Sequence, residues 1–170
     1  YHELYGFSLN ILDIDPTFTL GDMERQRQIT IERLQREGVW DINRENPLPQ
    51  VVQRIAIVSS RQAAGYQDFC KELGKSPYAF SLTLFDAFMQ GAGAEDSIVA
   101  ALDAVVIIRG GGSASDLNCF NAYRLCAHIA QFPLPILTGI GHDKDTSVAD
   151  MVAHTALKTP TAVAGWLVER

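Results

Sequence analysis

Ala104-Val105-Val106-Ile107-Ile108-Arg109-Gly110-Gly111-Gly112-Ser113 (residues 104–113) is the stretch on which the fold turns. A short unbroken apolar run rich in β-branched residues predicts a strand buried on both faces, as in parallel sheets. Glycines directly after such a strand put bare backbone where open α/β sheets bind ligands. Working outward, the same grammar repeats. Upstream, Arg54–Ser59 predicts a first buried strand, 63–73 a helix, 80–85 a second strand and 94–102 a helix. Downstream, 117–131 predicts a helix, 135–139 a fourth strand, and the chain from Thr146 onward another helix. Strand and helix alternate throughout, so the expected fold is α/β: an open, mostly parallel, doubly wound sheet flanked by helices. An N-terminal strand-helix lead-in precedes it, with a strand over 5–14 and a helix over 20–36 closed by Gly38. The polar stretch 41–50, with two prolines, reads as a connector.

Length and composition set the frame. The 170 residues fit one domain, with 47% apolar and 20% charged residues. No apolar run reaches the roughly 18 residues a membrane helix needs, and no secretory signal is visible. Cys70, Cys119 and Cys126 form no paired motif and predict reduced thiols in a cytoplasmic setting. The chain opens strand-like at Tyr1 and stops at Arg170 inside a helical pattern, which reads as an excised fragment. One join is too tight: the helix near Leu102 runs into the strand at Ala104 without turn residues, which predicts a loop left out near Asp103. The net charge of −6 argues against a broad nucleic-acid surface. If the ligand is a nucleic acid, grip must come from a local cationic pocket or from other parts of the protein.

Chemistry concentrates at the predicted strand ends. In the glycine loop, successive N–H groups and a following helix start make an anion site. Arg109 adds a planar cation suited to bidentate phosphate contact. The plainer reading is a Gly-rich turn capped by Ser115 or Asp116. The next strand ends in Gly139-Ile140-Gly141-His142-Asp143-Lys144-Asp145-Thr146. That loop supplies an imidazole able to exchange protons near neutrality and carboxylates able to fix its tautomer or hold a metal. Its plainer reading is a solvated histidine before a helix cap. Asp68 lies on the helix after the first strand, where a carboxylate is usually a solvated helix face. Thr159-Pro160 marks a helix start with open N–H groups, and Lys158 stands beside it. Phosphodiester hydrolysis needs such a set: an anion clamp, an oriented water and an acid for the leaving oxygen. No GxxxxGK[ST] pattern, no GxGxxG after a strand and no zinc-spaced Cys/His cluster is present.

Several motifs in order then carry a resemblance. Arg109-Gly-Gly-Gly-Ser113 with Asp116-Leu117 and Phe120-Asn121 resembles the RGGGS-x-x-DL-x-x-FN signature of the exodeoxyribonuclease VII large-subunit family. Gly141 to Thr146 resembles its GHExD-[TF] loop. Asp150 with Ala153, then Thr159-Pro160-Thr161-Ala162, resembles its D-x-x-AD-x-R-A-x-TPT-A-A end, and Ser59 to Ala64 resembles its TSPTGAA loop. The match runs from about Tyr5 to the last residue. It implies hydrolysis of single-stranded DNA from either end, releasing oligonucleotides. It also implies an N-terminal OB-fold domain and a C-terminal helical region binding small subunits, both outside these residues. The family's catalytic positions carry over as Asp68, Arg109, His142 and Asp145. The positions set against substrate phosphate are Gly110, Gly111, Gly112, Ser113, Asn121, Lys158, Thr159 and Thr161. The family pattern requires no cofactor, while Asp68 and Asp145 are residues that could ligate Mg²⁺. Four positions depart from the pattern: Arg61 replaces proline, Asp143 replaces Glu, His154 replaces the second acid and Leu157 stands near the arginine. Two readings of other classes compete: a non-catalytic phosphate- or nucleotide-binding module, and a structural subunit of a larger assembly.

Overall fold

The computed structural model of the chain describes residues 16–50, 52–87, 106–110, 114–141 and 146–169. Helix α1 (Pro16–Arg36) begins earlier than its apolar pattern suggests. It ends where expected, at Gly38, whose φ of 71° is the left-handed value that glycine takes without a Cβ penalty. Strand β1 (Arg54–Ser59), helix α2 (Ala64–Leu73), strand β2 (Ser81–Asp86) and strand β3 (Val106–Ile108) follow. A 3₁₀ helix (Ala114–Asn121) leads to α3 (Tyr123–Ala130), β4 (Leu137–Gly139), α4 (Val148–Val152), β5 (Thr155–Ala156) and α5 (Pro160–Val168).

Among the described residues the strands form one sheet in the order β2-β1-β3-β4-β5, every neighbouring pair parallel. The chain steps from β1 outward to β2, then returns across β1 to lay β3 on its other side. That reversal makes the gap between the carboxyl ends of β1 and β3 the topological switch point, the usual ligand crevice of open α/β sheets. The sheet is covered on both faces, as expected. Side-chain alternation sends Ile55, Ile57, Val106, Ile108 and Leu137 into a core under α2 and α5. Val58 and Ile107 join the opposite core with Leu34, Phe120, Leu125 and Ile129.

Two elements differ from expectation. The helix predicted over 117–131 is split: Ala122, extended at φ −66° and ψ 127°, separates the 3₁₀ turn from α3. The break follows from Asn121, whose Oδ1 accepts the Val148 N–H at 2.9 Å. A continuous helix would turn Asn121 away from that donor. The helix expected from Thr146 onward is also interrupted, by the two-residue strand β5. Its pairing is tertiary: Leu157 N–H reaches Thr138 O at 2.9 Å across β4. The N-terminal strand over 5–14, the helix over 94–102 and the join at Asp103 lie outside the described residues.

The lead-in helix is fastened to the sheet's second layer. Arg33 stacks 3.5 Å above the Tyr123 ring, and the Tyr123 hydroxyl donates to Glu37 at 2.6 Å. That hydroxyl, then the Arg33 guanidinium, holds the Glu37 carboxyl below the usual carboxylate range, and the same bond pushes the phenol up. The connector after α1 does more than connect. Asn43 is fully buried and uses its whole amide. Its Nδ2 donates to Phe132 O and Leu134 O, and its Oδ1 accepts from Ile136 N and His154 N.

Candidate active site

The glycine loop meets two helix starts. An ideal Cβ on Gly65, in the first turn of α2, would lie 2.6 Å from Gly110 N, 2.7 Å from Gly110 Cα and 2.9 Å from Pro160 Cγ. Real Cβ atoms do not approach backbone that closely, so only glycine at 65 allows the loop after β3 to touch α2. The third partner, Pro160, is the first residue of α5. Gly139 repeats the device one strand further on: a Cβ there would stand 2.7 Å from Val163 Cγ2 and 3.1 Å from Thr159 O. The carboxyl ends of β3 and β4 and the N-termini of α2 and α5 are therefore packed together at the switch point.

Several sequence candidates fall at this edge. Gly110 continues β3. Arg109 is still held in the ladder, its N–H bonded to Gly139 O at 3.1 Å. It is buried, only 6% exposed, and the strand alternation puts it on the face of Ile107, toward α3 and α4. Asp68 is exposed on α2, three residues beyond Gly65 and thus one turn from the glycine contact. Lys158, Thr159 and Thr161 are exposed at the start of α5. Thr159 has a structural duty there, its Oγ1 accepting Ala162 N–H at 3.1 Å and lying 2.9 Å from Thr161 Oγ1. Asn121 sits apart from this group, beside the N-terminus of α4. Gly111, Gly112, Ser113, His142 and Asp145 lie outside the described residues.

The frame of the 142–145 loop is described on both sides. Before it, Ile140 is buried behind β4. After it, Ser147 and Asp150 form a reciprocal capping box on α4, with Ser147 Oγ donating to Asp150 Oδ2 at 2.7 Å. The other Asp150 oxygen accepts the Thr138 hydroxyl at 2.6 Å, which ties the loop's return to the strand it left. Arg27 of α1 adds a bond to Thr146 O at 3.4 Å. These anchors were not among the sequence candidates. Asp150 was legible as the S-x-x-D box, Ser147 to Asp150, whereas Thr138 and Arg27 carry no local signal. Gly65 had a signal as well, since a glycine in a helical turn costs about 1 kcal/mol unless packing requires it.

These contacts predict the sign of a substitution. At an open helical site Gly→Ala would help by about 1 kcal/mol. At Gly65 the collision with Gly110 backbone reverses this, for an expected loss of about 1–3 kcal/mol. The shift falls on the glycine loop, so activity should drop more than stability. Denaturant midpoints and activity measured on one Gly65→Ala preparation check both, and wild-type values for the pair would contradict the contact.

The three cysteines are free thiols. Among the described residues no group of three or more His, Cys, Asp or Glu is placed to hold a metal ion, and no helix is long and apolar enough to cross a membrane. Residues 39–170 match the family model described as exonuclease VII, large subunit. The chain belongs to the exonuclease VII large-subunit family. It is 36% identical to the exodeoxyribonuclease 7 large subunit of Deinococcus radiodurans across 99% of this chain and 44% of that protein. Identity to the protein of the same name from a Cyanothece species is 41%, across 82% of this chain and 35% of the relative. For Campylobacter lari it is 35%, across 85% and 40%. The chain thus spans less than half the length of these exonuclease VII relatives.

Proposed function

We propose that these residues form the catalytic core of an enzyme that hydrolyses phosphodiester bonds in single-stranded DNA, acting from the ends and releasing oligonucleotides. The observation that carries this reading is the position of Arg109 at the carboxyl end of β3, one residue before Gly110, whose backbone packs against Gly65 at the start of α2. Family membership supports reading the phosphate ligand as a DNA linkage. Arg109 and the loop N–H groups hold the phosphate and its developing charge. His142 transfers the proton, and Asp145 positions either the imidazole or the attacking water. Asp68 supplies a second carboxylate. With Asp145 it is also the pair that would hold Mg²⁺, and cleavage measured with and without EDTA decides between those duties. The remaining parts of the protein supply an OB-fold grip on the strand, which the charge of −6 here does not. They also bind small subunits, and the assembly works in the cytoplasm.

The test is release of fragments from end-labelled single-stranded DNA by the native assembly. Intact DNA would leave a phosphate-binding module instead. Within this reading His142→Asn decides the proton role. We expect kcat to fall by roughly 10²–10⁴-fold, with loss of the histidine-dependent limb of the pH–rate profile. A variant that keeps kcat at saturation and only raises KM would make His142 a phosphate ligand.

A further inference from the structure

The peptide group between Thr146 and Ser147 is held at both of its polar ends. Its carbonyl, Thr146 O, accepts from Arg27 Nη2 at 3.4 Å. Its N–H, that of Ser147, donates to Asp150 Oδ2 at 3.0 Å. The two holders come from different parts of the fold. Asp150 sits on α4 and is fixed to β4 by the Thr138 hydroxyl at 2.6 Å. Arg27 comes from α1, 119 positions away along the chain. A peptide is planar, so gripping both ends sets the torsions on either side of it. Those torsions decide the direction in which the chain arrives from Asp145, the residue before Thr146.

Arg27 springs from a seated helix. Arg27, Thr30 and Leu34 share one face of α1 by their spacing, and Thr30 and Leu34 are buried. The Arg27 side chain is 23% exposed. Its Nη1 pairs with Glu24 at 3.0 Å, one turn earlier on α1, and its Nη2 also lies 3.8 Å from Met151 Sδ on α4. The planar fork therefore meets three partners at once, which the single ammonium of a lysine does not reproduce. The Glu24 carboxylate is exposed, and such pairs add little to stability. The weight of the contact falls instead on where Thr146 stands. Arg27 also lies ahead of residues 39–170, the stretch that matches the family.

We propose that Arg27 is a positioning residue for the cleavage reaction. From the lead-in helix it fixes the Thr146 carbonyl, and with it the end of the loop that presents His142 and Asp145. This rests on the reading of those two residues as the proton-handling pair. Arg27 acts through the backbone and touches no reacting atom.

Kinetics of the native assembly on end-labelled single-stranded DNA test this. Arg27→Met removes every donor and keeps an unbranched chain that helices accept. Its kcat should fall about tenfold to hundredfold, as for a catalytic group misplaced by about 1 Å, with KM within about twofold of wild type. Arg27→Lys should recover part of kcat. Arg33→Met is the control on the same helix. It breaks the Tyr123 stack and the Glu37 pair but leaves Thr146 alone, so its kcat should match wild type. A merely structural role for α1 would not lower kcat per folded molecule, nor would it separate the two variants. Folded Arg27→Met with wild-type kcat would overturn the proposal, as would an equal loss in Arg33→Met. A change in KM alone would overturn it too, and would make Arg27 a strand contact. Should Arg27→Met not fold, Arg27→Gln, with a shorter side chain, is judged by the same outcomes. A wild type that releases no fragments removes the nuclease reading and the proposal together, whereas every other outcome leaves that reading standing.

Discussion

Replacing Arg109 with alanine is expected to lower cleavage of single-stranded DNA by at least 10²–10³-fold, the usual loss when one donor to developing charge is removed. The residue follows the central strand β3, and its backbone is locked to β4 through Gly139 O. Its guanidinium is carried on a rigid element, so the alanine variant should lose the cation without moving the glycine loop. Arg109 is also 6% exposed, and a buried arginine can be structural. The two roles separate on a second variant. Arg109→Lys keeps a positive charge but loses the planar fork, so it should recover part of the fold's stability and little of the rate. Denaturation midpoints and kcat/KM for both variants make the comparison. Near-normal kcat/KM in folded Arg109→Ala would take Arg109 out of the site. A rate deficit that merely tracks unfolding would make it a structural residue.

The largest stability effect is expected at Asn43. Its amide closes four hydrogen bonds, to Phe132, Leu134, Ile136 and His154, with no exposed surface. Asn43→Ala deprives two carbonyls and two N–H groups together. Each such group costs about 1–3 kcal/mol when left unmet, and water entering the gap recovers part of that. A net loss of about 3–5 kcal/mol follows, a large share of the roughly 5–15 kcal/mol that holds a typical domain. Asn43→Asp should do no better, since it keeps the acceptor but sets a carboxylate oxygen against two carbonyls. Urea unfolding followed by circular dichroism reads both. A loss under about 1 kcal/mol would show that water replaces the amide without penalty. Activity per folded molecule should stay near wild type, which separates this residue from the site.

Asn43 also shows where sequence reading stops. The stretch 41–50 is polar with two prolines, and nothing local distinguishes Asn43 from Asn46 as the one to be buried. The distinction comes from residues 89 to 111 positions away, in the 132–136 turn and at His154 just before β5. The same limit hides β5, whose two residues have no period to read. It also hides the break at Ala122, which exists because Asn121 meets Val148. In each case the deciding partner is remote, and propensity yields to a hydrogen bond that must be made.

By itself the sequence determined the parallel α/β class, the run of strands from Arg54 to Gly139, the helix stop at Gly38 and the motifs that mark the family. It could do so because strand burial, turn chemistry and caps are properties of neighbours along the chain. Only the tertiary structure decided the strand order, and with it the switch point that joins the ends of β1 and β3. It alone showed that Gly65, Gly110 and Pro160 touch and that Asp150 ties Ser147 to Thr138. These are contacts between segments brought together by packing the two faces of one sheet. The physical reason is that close backbone approach and buried hydrogen bonding depend on which surfaces meet, and meeting is settled by the core as a whole.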